Sequence, residues 1–195
     1  ITLARGGSKS VHKKNIQPIM GKPLIAYTIE EAKKSALISD YVVSTDDEDI
    51  LKVSQEYGAY VPFKRPKELS TDEATSTSAL KHAVDFLEKE KGFKYDIVIE
   101  LMCTNPLKKV EDIDNCIKKI IETDADSVIA VHKLDDHHPI RIKKIVNNRI
   151  VDFCLPEPID SRRQDLKPEA YIRSGSIYFL KGDELMMRSR RCGRE

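Results

Sequence analysis

The sequence has no tryptophan, only four cysteines among 195 residues, and almost no charge excess, at a net +1. Each shortage excludes a class of protein. Cys103, Cys116, Cys154 and Cys192 form no C-x-x-C pair and have no histidines at metal-ligand spacing. That argues against a zinc site or a disulfide framework, and for free thiols in a reducing cytoplasm. Uninterrupted apolar runs span only a few residues, too few for a transmembrane helix. Lys plus Arg is 33 against Asp plus Glu 32, a balance that argues against a general nucleic-acid or membrane binder. No signal peptide is visible. The chain opens without Met at Ile1-Thr2-Leu3, short for a first strand, so a trimmed start is expected.

What is present is a hydrophobic content of 40%, enough for a sizeable core in one domain. Apolar runs alternate with helical spacing, the pattern of βαβ units and an α/β fold with a mostly parallel sheet. Residues 1–4 read as a strand end, and 23–37 as a helix with Pro23 near its first turn. Residues 41–44 read as a strand. Asp46 or Asp47 caps a helix to about Tyr57, which Gly58 ends. A short strand is expected at 59–63, broken by Pro66. The polar stretch 70–77 leads into a helix to about Lys91. Strands at 97–101 and 127–131 flank a helix at about 110–122. From His132 the rhythm changes: 141–146 and 149–153 read as a hairpin across Asn147-Asn148. Residues 156–168 follow as a Pro-punctuated loop, 176–180 as a last strand and 183–188 as a short helix. The expectation is a single domain over 1–195 with an insertion near 132–170.

The segment Leu3-Ala4-Arg5-Gly6-Gly7-Ser8-Lys9 carries the strongest chemical signal. Glycines after a strand let backbone N–H groups turn toward an anion. Residues 1–29 hold Arg5, Lys9, Lys13, Lys14 and Lys22, with no acid before Glu30. In a nearly neutral chain, that asymmetry points to an anionic partner. One cation about 4 Å from a phosphate oxygen contributes roughly 4 kcal/mol at an effective dielectric near 20, before desolvation. G-x-x-x-x-G-K-[ST] and G-x-G-x-x-G are both absent, which disfavours P-loop and dinucleotide folds. The alternative is a surface loop with solvated lysines.

The pieces combine into a recognisable series. Residues 3–9, Lys14-Asn15, Gly21-Lys22-Pro23-Leu24-Ile25 and Val43-Ser44-Thr45-Asp46-Asp47 come first. The stretch from Arg65-Pro66 to Ser76, His137-His138-Pro139, Arg163-Gln164 and Ser174-Gly175-Ser176-Ile177-Tyr178 follow in register. The series resembles the CMP-sialic acid synthetases (acylneuraminate cytidylyltransferases) over nearly the whole chain. The resemblance implies a three-layer Rossmann-like nucleotide-diphospho-sugar transferase fold with a dimerisation insertion. It also implies a reaction in which the anomeric hydroxyl of a 2-keto-3-deoxy sugar acid attacks the α-phosphorus of CTP and releases pyrophosphate. Carried over by position, Arg5 and Lys14 would be catalytic, with Lys14 neutralising charge at the α-phosphate. Ser8, Lys9 and Asn15 would bind the nucleotide, while Arg65, Ala74 and Ser76 would line the cytidine pocket. Thr104, Arg163 and Ser174 would meet the sugar. Such chemistry relies on positioning and electrostatic stabilisation. Mg²⁺ is expected to assist the polyanionic leaving group, and a homodimer is implied, with arm residues such as Arg141, Arg162 and Arg163 entering the partner's site.

Three departures from the family pattern stand out. Met102 precedes the Cys103-Thr104-Asn105-Pro106-Leu107-Lys108 segment where the family has Gln before P-T-S-P-L-R, which turns the expectation toward a nonulosonic acid other than sialic acid. Ser174-Gly175 replaces N-G. The family's acidic D-x-D motif would fall past Glu195, so a truncated C-terminus is expected and the metal ligands are unassigned; the basic tail 187–194 offers no replacement. Two alternatives stay open: another sugar-acid nucleotidyltransferase, such as the 3-deoxy-manno-octulosonate enzyme, and a nucleotide-binding module without turnover.

Several residues also have plain structural readings. At least one of Asp46 and Asp47 serves as a helix cap. His137 and His138 shape a loop rather than catalyse, because adjacent side chains point apart. His12 and His82 are expected on the surface. Glu100, ending an apolar strand, either reaches the cleft or pairs with a cation.

Overall fold

A computed structural model describes residues 1–134 and 136–188. The basic tail beyond Arg188, with Cys192, lies outside the described residues, as do the side chains of Met187 and Arg188. In order, the elements are β1 (Thr2–Leu3), β2 (Pro18–Ile19), β3 (Lys22–Pro23), α1 (Leu24–Lys34), β4 (Val43–Ser44), α2 (Glu48–Glu56) and α3 (Ser76–Lys91). They continue as β5 (Ile97–Leu101), α4 (Val110–Thr123), β6 (Ser127–Lys133), β7 (Lys143–Val146), β8 (Arg149–Asp152), β9 (Tyr171–Lys181) and α5 (Gly182–Arg188). Two compact units result. One is Ile1–Ala130 with Gly175 onward, and the other is Val131–Ser174.

In the larger unit β1 pairs in parallel with β4, Thr2 opposite Val43 and Leu3 opposite Ser44. On its other side, the backbone N of Ile1 donates to the Ile99 carbonyl and Leu101 N to the Ile1 carbonyl. β5 in turn pairs with β9 over five positions, from Ile97–Lys181 to Leu101–Ile177, and this pairing is antiparallel. β9 also borders β6. The α/β sheet expected from the alternating pattern is therefore parallel at β1 and β4, with the late strand β9 running against β5.

The strand expected at 59–63 contracts to single parallel bridges, Tyr60 to Val42 and Lys64 to Thr45. Pro62, between them, has no N–H for a continuous ladder. The first helix ends at Lys34 rather than near Leu37. Ser35 turns extended there, and its hydroxyl accepts from Leu37 N and donates to Asp114, a side-chain competition that favours helix ends. Asp47, not Asp46, caps α2 by accepting from Asp49 N and Ile50 N. Gly58 closes that helix at φ 80°, open to glycine without the usual Cβ clash.

The apolar faces of α1 and α4 meet the sheet in a core that contains Ala32, Leu101, Ile113, Ile117, Ile177 and Phe179. Leu80, Val84, Val98, Leu180 and Leu185 form another cluster. His82 departs from its expected surface position: it is half-buried, stacks edge-on against Phe63 at 4.9 Å between ring centres, and its Nδ1 is buried without a hydrogen-bond partner. An imidazole has an apolar body as well as a polar tip, so packing against Phe63 draws it inward.

In the smaller unit, β7 and β8 form the expected hairpin, and Asn147 and Asn148 supply its turn at φ 50° and 60°. Ile140, Leu166 and His138 are its buried side chains. His138 Nδ1 accepts from Ile140 N, which leaves Nε2 to donate to the Pro168 carbonyl at 2.8 Å. Both ring nitrogens are thus used in holding the loop, in line with the structural reading of this residue.

Candidate functional site

Arg5 leaves the carboxyl end of β1, and the chain turns at once. Gly6 N donates to Asp46 Oδ1 at 3.0 Å, and Ser8 N returns to the Gly6 carbonyl at 2.9 Å. A Cβ on Gly6 would stand 2.7 Å from Asp47 Oδ2 and 2.8 Å from Asp47 Cβ, so only glycine fits against the α2 cap. Asn15, buried in the 3₁₀ turn Lys14–Ile16, donates to the Arg5 carbonyl at 3.0 Å and accepts from the Cys103 thiol at 3.1 Å. The turn is thereby fixed to the loop that follows β5.

A cavity of about 460 Å³ opens beside this turn. Arg5, Ser8, Lys9, Lys14, Asn15, Arg65, Ala74, Ser76 and Thr104 all line it, so the structure brings together nine of the eleven candidate residues. The two others lie in the Val131–Ser174 unit. Arg163 is exposed and paired with Asp136 at 2.6 Å, and Ser174 sits on β9. Of the five cations before Glu30, only Arg5, Lys9 and Lys14 reach the cavity lining. Lys13 is held by Asp49 and Lys22 by Glu30, so two of the five are consumed by the acids of α2 and α1.

The cavity cations are handled in two ways. Asp72 takes Arg5 Nη2 at 2.8 Å and Lys9 Nζ at 2.7 Å, while Arg5 Nη1 donates to the Thr71 carbonyl at 2.8 Å. Lys9, and then Arg5, hold the Asp72 carboxyl below its usual range. Arg65 is only 5% exposed, yet its Nε and Nη2 have no hydrogen-bond acceptor, and the nearest carboxylate oxygen, Asp46 Oδ1, is 3.9 Å from Nη2. Unsatisfied buried donors are costly, and these belong to a residue that lines the cavity. Ala74, the cap residue Thr75 and Ser76 bring the N-terminus of the sixteen-residue helix α3 to the same wall, a favourable place for negative charge.

The sequence reading missed Asp72 and Cys103, which line the cavity, and the buried Lys108. Glu100, left open there, is buried and lines the cavity. Cys103 also lines it, but burial pushes its thiol up to about 11, so it stays protonated near neutrality and is no nucleophile.

A cavity lined by cations and by the N-terminus of a long helix, at the end of an α/β sheet, is suited to an anionic ligand such as a nucleotide. The comparisons agree. The cytidylyltransferase family profile matches residues 1–188, and the chain belongs to that family. The chain is 38% identical over 180 residues to pseudaminic acid cytidylyltransferase of Campylobacter jejuni subsp. jejuni serotype O:23/36, covering 92% of this chain and 76% of that one. It is 36% identical to CMP-N,N'-diacetyllegionaminic acid synthase of Legionella pneumophila, with 92% and 72% covered. Among solved structures, CMP:2-keto-3-deoxy-manno-octonic acid synthetase complexed with CTP superposes at a TM-score of 0.70 over 96% of this chain and 75% of that one, at 23% identity. That likeness concerns the fold.

The family resemblance also implies a divalent cation. Among the described residues no three His, Cys, Asp or Glu side chains gather as a cage. The carboxylates lining the cavity are Asp72, already engaged by Arg5 and Lys9, and Glu100, buried on β5. The described side chains therefore do not fit a protein-built metal site.

Because Asp72 occupies the cations an anion needs, Asp72→Asn is expected to tighten binding of inorganic pyrophosphate severalfold in calorimetric titration at fixed ionic strength, whereas Arg5→Ala weakens it. Weaker binding by Asp72→Asn would show that the ion pair does not compete with the ligand.

Proposed function

We propose that the chain makes a CMP-sugar from CTP and a nonulosonic acid, with pseudaminic acid as the first acceptor to test. The observation that carries the nucleotide half is Arg65: two buried guanidinium donors without acceptors, in a cavity that Arg5, Lys9 and Lys14 also line. On this reading the triphosphate takes the glycine turn, and Arg65, Ala74 and Ser76 take the cytidine. Arg5 and Lys14 offset the negative charge that develops as the sugar's anomeric oxygen bonds to the α-phosphorus and the bond to the pyrophosphate oxygen breaks. Preorganised cations in a partly desolvated site are the main source of rate for such a transfer. Lys14 suits this role because its ammonium, unlike those of Lys13 and Lys22, has no carboxylate partner among the described residues. Mg²⁺ is included as the counter-ion a triphosphate ordinarily carries.

The acceptor half rests on Met102 and Thr104. Met102 has no hydrogen-bonding amide where the sialic acid enzymes place Gln, and the curated relatives at 38% and 37% identity are named for pseudaminic acid. Arg163 and Ser174 are proposed to meet the sugar across a homodimer, with Arg163 supplied by the arm of a second copy. The arm supports this by its surface: Ile145 and Ile150, opposite each other in the hairpin, are 76% and 74% exposed, and Ile159 is 94% exposed. Exposed apolar side chains grouped in this way mark interaction surfaces. A reducing cytoplasm is the proposed compartment, and no helix among the described residues is long and apolar enough to cross a membrane.

With CTP and Mg²⁺, pyrophosphate release is expected with pseudaminic acid, more slowly or not at all with N-acetylneuraminic acid, and reduced at least about 100-fold in kcat/KM by Lys14→Ala. Release with none of pseudaminic, N,N'-diacetyllegionaminic and N-acetylneuraminic acids would refute the reading. Light scattering should give a dimer mass that Ile145→Asp with Ile150→Asp shifts to monomer; a parent protein monomeric at tens of micromolar excludes the shared site.

A further inference from the structure

Lys108 is one of the few charged side chains sealed from solvent, at 5% exposure. A lysine seldom goes inside unless every donor is met. Its Nζ donates to Thr28 Oγ1 on α1 at 2.8 Å, to the Met102 carbonyl at 2.8 Å and to the Asn105 carbonyl. An ammonium has three protons, and all three are placed. The two carbonyls are the ends of one tight turn, closed by Asn105 N on the Met102 carbonyl at 3.3 Å. Met102, Cys103 and Thr104, the first three residues of that turn, line the cavity, and Cys103 is the residue whose thiol meets Asn15 beneath the glycine turn. One buried cation therefore fixes the loop that forms one end of the cavity and ties it to α1.

We propose that Lys108 is a positioning residue for the acceptor: through the Met102 and Asn105 carbonyls it sets where Met102 and Thr104 stand, and hence how the sugar acid presents its hydroxyl to the nucleotide. The inference rests on the functional reading above, which places the acceptor against this loop. It assigns a role to a residue that contacts neither substrate. A displacement of about 1 Å in such a loop lowers rate by up to about 100-fold while leaving the more distant nucleotide contacts in place.

The charged and titratable groups facing Lys108 are Glu31 on α1 and Cys103 in the turn itself. Burial pulls the Lys108 ammonium down to about 8, against the opposing attraction of Cys103 and Glu31. Glu31 is held below its ordinary range against the cost of its own burial by hydrogen bonds from Lys34 and Val110 N. With the Cys103 thiol up near 11, Lys108 is the member of this trio that changes charge between pH 7 and about 9. Deprotonation leaves two N–H donors for three acceptors, so one of the holds on the turn is released as pH rises through that window, although burial makes the neutral amine the favoured form there. An arginine at 108 keeps its charge there.

The test is steady-state kinetics on the full chain, with whichever of the three named nonulosonic acids the parent enzyme turns over, alongside calorimetric CTP binding. Lys108→Met should lower kcat/KM for the acceptor by about 10- to 100-fold with the CTP dissociation constant within about twofold, and Lys108→Arg should recover most of the loss. Between pH 7 and 9 the acceptor KM of the parent should rise while that of Lys108→Arg stays flatter. This second arm decides the matter if Lys108→Met does not fold. Equal loss of CTP affinity in Lys108→Met, no loss at all, or parallel pH profiles for parent and Lys108→Arg overturns the positioning role while leaving the functional reading intact. Absence of turnover by the parent removes that reading, and the positioning role with it.

Discussion

The constraint on which the rest depends is the survival of uncancelled positive charge at one end of a sheet. This chain carries nearly as many acids as bases, and a surface lysine ordinarily finds a carboxylate. Here the fold sorts its cations. Lys13 and Lys22 are given to Asp49 and Glu30, Arg5 and Lys9 share one carboxylate, and Arg65 is buried with donors unmet. Sharing one anion between two cations, and burying a third whose Nε and Nη2 lack hydrogen-bond acceptors, leaves positive charge around the cavity only partly offset. Such sites hold their ligand with interactions already in place, so little reorganisation is left for the reacting step.

The scaffold makes this possible by bringing distant segments to the carboxyl end of β1. Asp46 receives Gly6 N while its neighbour Asp47 caps α2 so closely that residue 6 has no room for a Cβ. A helix cap and the glycine turn thus constrain each other, and packing against Asp47 is what demands glycine at residue 6. Asn15 and Cys103 repeat the pattern on the other side, linking the turn to the loop after β5. Substitutions in either loop are for this reason expected to be felt in both.

How much of this could be read from the sequence follows from how local each signal is. The glycine pair and its cations are contiguous, the Asp47 cap and Gly58 stop are short-range, and Asn147-Asn148 marks its hairpin by itself; all are legible. Nine candidate residues gathered around one cavity because the loops after β1 and β5, the segment at Arg65 and the start of α3 meet there. Asp72 escaped because its partners, Arg5 and Lys9, lie more than sixty residues away, and no spacing rule links an acid to a cation across that distance. Lys108 escaped for a different reason. Its acceptors are mostly main-chain carbonyls, which leave no trace in side-chain identity, and a lysine in a loop reads as solvated. The strand expected at 59–63 is cut short because Pro62, which has no N–H to donate, interrupts the ladder before Pro66.

The central claim is that the cation-lined cavity beside the glycine turn seats a cytosine nucleotide. A crystal structure of the chain with CTP tests it most directly. The account expects phosphate oxygens within hydrogen-bond distance of Arg5, Lys9 and Lys14, the Asp72 carboxylate withdrawn from the first two, and Arg65 Nε and Nη2 supplied with acceptors. A nucleotide bound elsewhere, with the Arg5–Asp72–Lys9 cluster undisturbed and Arg65 still unpartnered, would contradict it.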